Sequence, residues 1–190
     1  GAELIVNINA SPFHAGKNLQ REKMIATRAS DNELFVAYLN CVGGQDELVF
    51  DGDSMVIGAN GDMVVRGPAF EEELLIVDLD IEEVFRSRLR DFSLRKETPT
   101  ILEETWESKT IHVSDYVPPD RKPLEVTGLT QCLDPVEEVY CALVLGTKDY
   151  LGKTGFSKAL IGLSGGVDSA LTATVAVDAL GPENVVGIAK

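Results

Sequence analysis

Apolar residues follow two rhythms along the chain. In the first half they come in short runs rich in β-branched residues, and in the second half they recur every three or four positions. Leu4-Ile5-Val6-Asn7-Ile8 is short and β-branched and predicts a strand. Asn9-Ala10-Ser11-Pro12-Phe13-His14 reads as a loop. Residues 18–32 carry Leu19, Met24, Ile25 and Ala29 at roughly helical spacing, which predicts a helix with an exposed charged face. Further strands are expected at 35–39, 54–57, 63–66 and 74–79. Gly43-Gly44-Gln45-Asp46 is expected to turn the chain, and Asn60-Gly61 is a hairpin signal because both residues tolerate positive φ.

From residue 86 to 123 the periodicity disappears. Charges are dense there, and Pro118-Pro119 and Pro123 break regular structure. An interdomain connection and an extended arm packed on the first domain fit this stretch equally well. Periodicity resumes after Asp134-Pro135, a capped helix start. Val136, Val139, Tyr140, Leu143 and Val144 share one face of a helix expected to end near residue 150. A buried strand at 156–163, a glycine loop, a helix at 170–180 closed by Gly181-Pro182, and a strand at 185–189 complete the order. Strand, loop, helix, strand is a βαβ unit, which implies a parallel sheet and an α/β protein.

Composition narrows the function classes. With 44% hydrophobic and 25% charged residues, the chain is ordinary globular material. A net charge of −14 disfavours general nucleic-acid binding, since a polyanion would be repelled. No run of about 18 apolar residues occurs, so no membrane span or membrane partner is expected. Three cysteines without a CxxC pair suggest neither a disulfide framework nor a zinc site, and point to a reducing cytoplasm. The chain opens at Gly1-Ala2-Glu3 and enters a strand at once, as a piece of a longer polypeptide would.

The candidate chemistry centres on Ile161-Gly162-Leu163-Ser164-Gly165-Gly166-Val167-Asp168-Ser169-Ala170. A loop leaving a parallel strand and opening a helix presents backbone N–H groups and a positive dipole end to an anion. Gly165 and Gly166 let the backbone approach an oxygen closely, and Ser164 and Ser169 offer hydroxyls. Asp168 would repel a bare phosphate, but it makes sense beside a cation, most plausibly Mg²⁺. The dinucleotide fingerprint GxGxxG is absent. The nearest match to a Walker loop, Gly146 to Gly152-Lys153-Thr154, has one residue too many and precedes its strand. Gly152-Lys153-Thr154-Gly155 therefore reads as a helix stop and turn.

The strand-SGGVDS-helix arrangement resembles the pyrophosphate loop of the ATP pyrophosphatases. Asn7-Ile8-Asn9-Ala10-Ser11-Pro12-Phe13-His14, Gly16-Lys17 and Val42-Gly43-Gly44-Gln45-Asp46-Glu47-Leu48-Val49-Phe50-Asp51-Gly52 resemble the later half of the nitrilase-type glutaminase domain found in the glutamine-dependent NAD⁺ synthetases. Residues 140–170 resemble the start of the synthetase domain of the same family. The resemblance implies the C-terminal half of a nitrilase-like α-β-β-α sandwich, followed by the start of a Rossmann-like parallel α/β synthetase domain. Residues 1–95 would be the partial glutaminase domain and 96–130 the linker. Residues 131–190 would be the N-terminal part of a synthetase domain of the adenine nucleotide hydrolase type.

The resemblance further implies an enzyme that adenylates deamido-NAD⁺ with ATP and amidates it with ammonia from glutamine, releasing AMP, pyrophosphate and glutamate. Ser11 and Lys17 would hold glutamine. Read alone, they would be a capping serine and a solvated lysine. Gly162, Leu163, Ser164, Gly165, Gly166, Val167, Asp168 and Ser169 would form the ATP site, with Asp168 the Mg²⁺ ligand. Glu47 is either part of the glutaminase pocket or an exposed loop carboxylate. The Glu-Lys-Cys triad of such a glutaminase would lie upstream of Gly1, leaving this chain no catalytic residue and no turnover of its own. Cys41, Cys132 and Cys141 are then structural, and His14 and His112 are not bases. The implied partners are small molecules (deamido-NAD⁺, glutamine, ATP), with a homo-oligomeric full-length enzyme. The alternatives are another ATP-pyrophosphatase amidotransferase and a non-catalytic ATP-binding module.

Overall fold

The computed structural model describes residues 2–90, 111–117, 119, 122–124 and 129–189. Most of the expected linker lies outside them. The first unit is a mixed four-stranded sheet in the order β1 (Leu4–Asn9), β2 (Phe35–Asn40), β5 (Met55–Ile57), β6 (Met63–Arg66). β1 and β2 run parallel, with Leu4 opposite Phe35 and Asn9 opposite Asn40. The other pairs are antiparallel. The parallel step needs a crossover, which α1 (Lys17–Asn32) supplies.

β2 is buried on both faces, and this sets the layers. Val36 and Tyr38 face α1, where they pack with Ile25, Ala29, Met55 and Ile57. Phe35 faces the other way and packs with Val56, Val65 and Val84, together with Leu75, Val77 and Leu79. The expected strand at 74–79 is therefore an extended segment without ladder pairing. Alternate side chains, Leu75, Val77 and Leu79, turn inward, so the period-two pattern reflects a covering strap rather than a sheet member. Sequence periodicity assigns no element to 81–90, where α2 (Ile81–Arg90) forms. Only Val84 of this short helix is buried. Glu82 and Glu83 at its start and Arg88 and Arg90 at its end suit the helix dipole.

The Gly-Gly segment is likewise a strand. β3 (Val42–Gln45) pairs antiparallel with β4 (Leu48–Asp51), and the turn falls at Asp46 and Glu47. The glycines extend because a helix packs on them, as described below.

The second unit comprises α3 (Pro135–Thr154), β7 (Ala159–Leu163), α4 (Val167–Leu180) and β8 (Val185–Ala189). β7 and β8 pair in parallel, with Ala159 opposite Val185, and α4 is the crossover. Asp134 caps α3 by accepting the Val136 N–H at 2.9 Å, and Gly155 ends it with φ +82°. α3 therefore runs past residue 150, and Gly152-Lys153-Thr154 is its last turn. β7 is shorter than the expected 156–163 and only alternately half-buried. α4 begins three residues earlier than expected, at Val167.

Candidate functional site

Two loops carry the residues singled out above. The first joins β1 to α1. Its Ser11 is held through its backbone by Asn40 at the end of β2. The Ser11 N–H donates to Asn40 Oδ1 at 2.7 Å, and Asn40 Nδ2 donates to the Ser11 carbonyl at 3.1 Å. Asn40 Nδ2 also donates to Asp51 Oδ1 at 3.0 Å. Asp51 in turn takes a fork of two bonds from Arg21, at 3.1 and 3.2 Å. Arg21, Asn40 and Asp51 are all buried. In a medium of low dielectric a bidentate pair is strong, and leaving either partner alone is costly. The Phe13 N–H donates to the Val49 carbonyl at 2.7 Å, and the Phe13 ring stands edge-on to Phe70. Lys17, the first residue of α1, folds back so that Nζ donates to the Pro12 carbonyl at 2.8 Å. The ammonium thus returns to the residue next to Ser11. Ser11 and Lys17 thus lie on one loop, with Lys17 Nζ on the carbonyl of Pro12.

A further group of charges lies behind this loop. Arg66 pairs with Glu22 and with Asp53, whose Oδ1 is 3.4 Å from Nε, and it also meets Cys132. Burial pushes the Asp53 carboxyl up to about 6. The nearby Asp51 charge pushes the same way, while Arg66 and Arg21 oppose it. For Arg21 and Arg66, burial is outweighed by carboxylate partners, and both guanidiniums are held more basic than usual.

The second loop joins β7 to α4. Gly162 and Leu163 end the strand, Ser164-Gly165-Gly166 form the bend, and Val167, Asp168 and Ser169 form the first turn of the helix. Gly165 has φ +82°, a conformation that favours glycine. Among the described residues, the hydrogen bonds of Ser164, Gly166 and Ser169 stay within the loop and the start of α4. Ser169 Oγ–H donates to the Gly166 carbonyl at 2.9 Å, which commits its proton. The Ser164 hydroxyl, 3.2 Å away, is then the donor to Ser169 Oγ, while it accepts the Gly166 N–H at 3.4 Å. No side chain caps α4 at Gly166. The first N–H groups of a helix have no partner within it, so they stand ready for an anion. Asp168 is exposed in this first turn. Among the described residues no group of three or more His, Cys, Asp or Glu could hold a metal ion. A cation at Asp168 would take its remaining ligands from phosphate and water, as Mg²⁺ commonly does.

Between the loops lies α3. Its apolar stripe is not the face it buries, since Val136 is 78% exposed while Glu138 is 5% and Ala142 6% exposed. The stripe that meets the β3–β4 hairpin runs through Glu138, Ala142, Gly146, Asp149 and Lys153, at steps of three and four residues, from buried Glu138 and Ala142 to the exposed Lys153. Asp149 Oδ2 accepts the Gly44 N–H at 2.8 Å, and Lys153 donates to the Gly44 carbonyl and to Asp149. Burial raises the Asp149 carboxyl, but the Gly44 N–H and Lys153 outweigh it and hold the group below its usual range. A Cβ on Gly43 would come within 2.8 Å of Asp149 Oδ2, which explains the glycine pair. Glu47 lines a groove of about 420 Å³ between this hairpin and α3, facing Ala142, Leu143 and Tyr150. On its other side α3 meets α4, where the Tyr140 hydroxyl donates to Asp178. Cys41 and Cys132 are exposed and Cys141 half-buried, and none of the three is in a disulfide.

Residues 1–88 match the carbon-nitrogen hydrolase family, and residues 139–189 match NAD synthase. Over 99% of its length the chain is 47% identical to a glutamine-dependent NAD(+) synthetase from Aquifex aeolicus and 44% identical to one from Thermotoga maritima. Along nearly its whole length the chain is thus similar to glutamine-dependent NAD(+) synthetases, with a carbon-nitrogen hydrolase segment followed by an NAD synthase segment. It spans 32% of the length of each of these two relatives. A solved synthetase of Acinetobacter baumannii, in complex with adenosine diphosphate, superposes with a TM-score of 0.74 at 30% identity, covering 98% of this chain and 28% of that one. The synthetase of Cytophaga hutchinsonii, 19% identical with a TM-score of 0.58, shares the fold. The order of the two family matches agrees with the sheet and βαβ units described above. Neither the Arg21–Asp51–Asn40 network nor the hairpin-facing stripe of α3 was among the residues expected from sequence. The stripe does leave a signal, charged and small residues at helical spacing on the face opposite the apolar one.

Proposed function

We propose that the chain supplies part of each active site of an enzyme that makes NAD⁺ with nitrogen from glutamine. Hydrolysis of glutamine to glutamate releases ammonia. ATP transfers AMP to the carboxylate of deamido-NAD⁺ and releases pyrophosphate. Ammonia then attacks the mixed anhydride, AMP leaves, and NAD⁺ is formed. The carboxylate needs this activation because its own oxygen is a poor leaving group.

In this reading the Ser11 hydroxyl and the Lys17 ammonium meet the polar head groups of glutamine. The backbone N–H groups of 165–169, with the hydroxyls of Ser164 and Ser169, hold ATP phosphates. Asp168 holds Mg²⁺, which would neutralise phosphate charge as pyrophosphate departs. The observation that carries the reading is the uncapped, glycine-bent start of α4 at the end of a parallel strand, in one chain with the tethered Ser11–Lys17 turn. The apolar exposure of β1 fits the same reading. Leu4, Ile5, Val6 and Ile8 are each more than a third exposed, as suits a sheet that continues beyond β1. Cytoplasmic placement and a homo-oligomeric enzyme are part of the same reading. Among the described residues no helix is long and apolar enough to cross a membrane.

The test is calorimetric titration of the complete gene product with ATP–Mg²⁺. Ser164→Ala and Asp168→Ala are expected to weaken binding, with the Asp168 effect lost when Mg²⁺ is omitted. Unchanged affinity in both variants would remove the loop from the ATP site.

A further inference from the structure

Helix α1 begins badly by its own sequence. Gly16 stands at its N-cap with φ +74°, no side chain caps it, and its first turn holds no acidic residue. Its first residue is instead Lys17, a cation at the positive end of a helix dipole. A carboxylate arrives from elsewhere in the chain. Glu138 of α3 is 5% exposed, and its Oε2 accepts the Gly16 N–H at 3.3 Å. The residues are 122 apart in sequence. Glu138 also lies in the first turn of α3, where its own N–H donates to the Asp134 carbonyl. One buried carboxylate thus sits where two helix N-termini converge.

The consequence concerns Lys17. Its N–H donates to the His14 carbonyl and its ammonium to the Pro12 carbonyl, so its direction depends on the turn from residue 14 to residue 16. Glu138 fixes that turn from outside and offsets the like-charge cost of putting Lys17 at a helix start. We propose that Glu138 is a positioning residue for the glutamine loop, a distant cap of α1 supplied by the helix that leads into the NAD synthase segment. The inference rests on the reading of Ser11 and Lys17 as glutamine-binding residues. It adds that this loop is complete only when α3 is docked.

Glu138→Ala and Glu138→Gln in the complete gene product test it, with NAD⁺ formation driven once by glutamine and once by free ammonium. Glu138→Ala is expected to raise KM for glutamine about tenfold, the size of effect that a lost helix cap produces. Ammonium-driven turnover should stay within about twofold, because that route bypasses the loop. Glu138→Gln keeps an acceptor oxygen and should raise KM less, with amide exchange at Gly16 intermediate between wild type and Glu138→Ala. An unchanged glutamine KM in Glu138→Ala, with unchanged exchange at Gly16, would overturn the proposal. An equal loss of both reactions in the two variants would overturn it as well, by showing a general packing role. Lys17→Ala separates the underlying reading. If it leaves glutamine KM unaltered, the loop is not the glutamine site, while Gly16 exchange in the Glu138 variants still decides whether Glu138 caps α1.

Discussion

The β1–α1 loop and the β7–α4 loop, the two proposed ligand loops, are held in opposite ways. The first is tied through Asn40 to a buried Arg21–Asp51 pair and through Gly16 to a helix 122 residues further on. The second is largely exposed, and among the described residues its Ser164, Gly166 and Ser169 bonds stay within the loop and the start of α4. On the proposed function, the difference follows from what each loop would do. Side chains such as Ser11 and Lys17 would aim correctly only if the backbone beneath them is fixed, and a loop of seven residues cannot fix itself. Backbone N–H groups at a helix start are aimed by the helix, so glycine and a few short hydroxyl bonds suffice.

Breaking the buried tether should have the largest effect. Asp51→Ala leaves Arg21 charged and without its bidentate partner in the interior, at a cost of about 3–5 kcal/mol. Chemical denaturation should show this loss, and the Ser11 amide should lose its exchange protection. The acidic group behind the tether sharpens the contrast by pH. The Asp53 carboxyl is raised from 3.8 to about 6, so the folded state holds its proton more tightly than the unfolded one. Its contribution is fully present below 3.8 and is lost as pH rises through about 6. The fall amounts to roughly 3 kcal/mol across that window, at about 1.4 kcal/mol for each pH unit. Asp53→Asn should flatten it, as thermal unfolding at several pH values would show.

The exposed loop breaks differently. Gly165→Ala meets no neighbouring atom within 4 Å, so the damage is confined to backbone strain at positive φ. About 1–2 kcal/mol of strain should lower ATP affinity by roughly tenfold while leaving the glutamine loop untouched. Titration of the variant with both ligands checks the separation. The smallest effect belongs to the junction. Lys153→Met removes the donor to Gly44 and the partner of Asp149, and it should cost about 0.5 kcal/mol because Lys153 is largely exposed.

The same contrast governs what could be read from sequence. Ser164 to Ser169 are contiguous, and their chemistry depends on local geometry, so composition and position after a strand were enough to mark them. Ser11 and Lys17 were marked only by family resemblance, since a hydroxyl and an ammonium six apart carry no local sign of a shared turn. Asn40, Asp51 and Arg21 come from β2, β4 and α1, and nothing in their spacing joins them. Tertiary packing also overrode local pattern. The apolar stripe at Val136 and Leu143 faces outward, while Glu138 and Asp149 turn inward because backbone N–H groups of Gly16 and Gly44 await them. The segment 74–79 alternates like a strand because it covers a sheet face, not because it pairs.

Residue-resolved amide exchange of the complete gene product, with ATP–Mg²⁺ and glutamine added separately, addresses both loops in one experiment. ATP–Mg²⁺ is expected to slow exchange at residues 165–169, and glutamine to slow it at residues 11–17. Protection elsewhere, with neither ligand slowing exchange at its own loop, would contradict the assignment of the two sites.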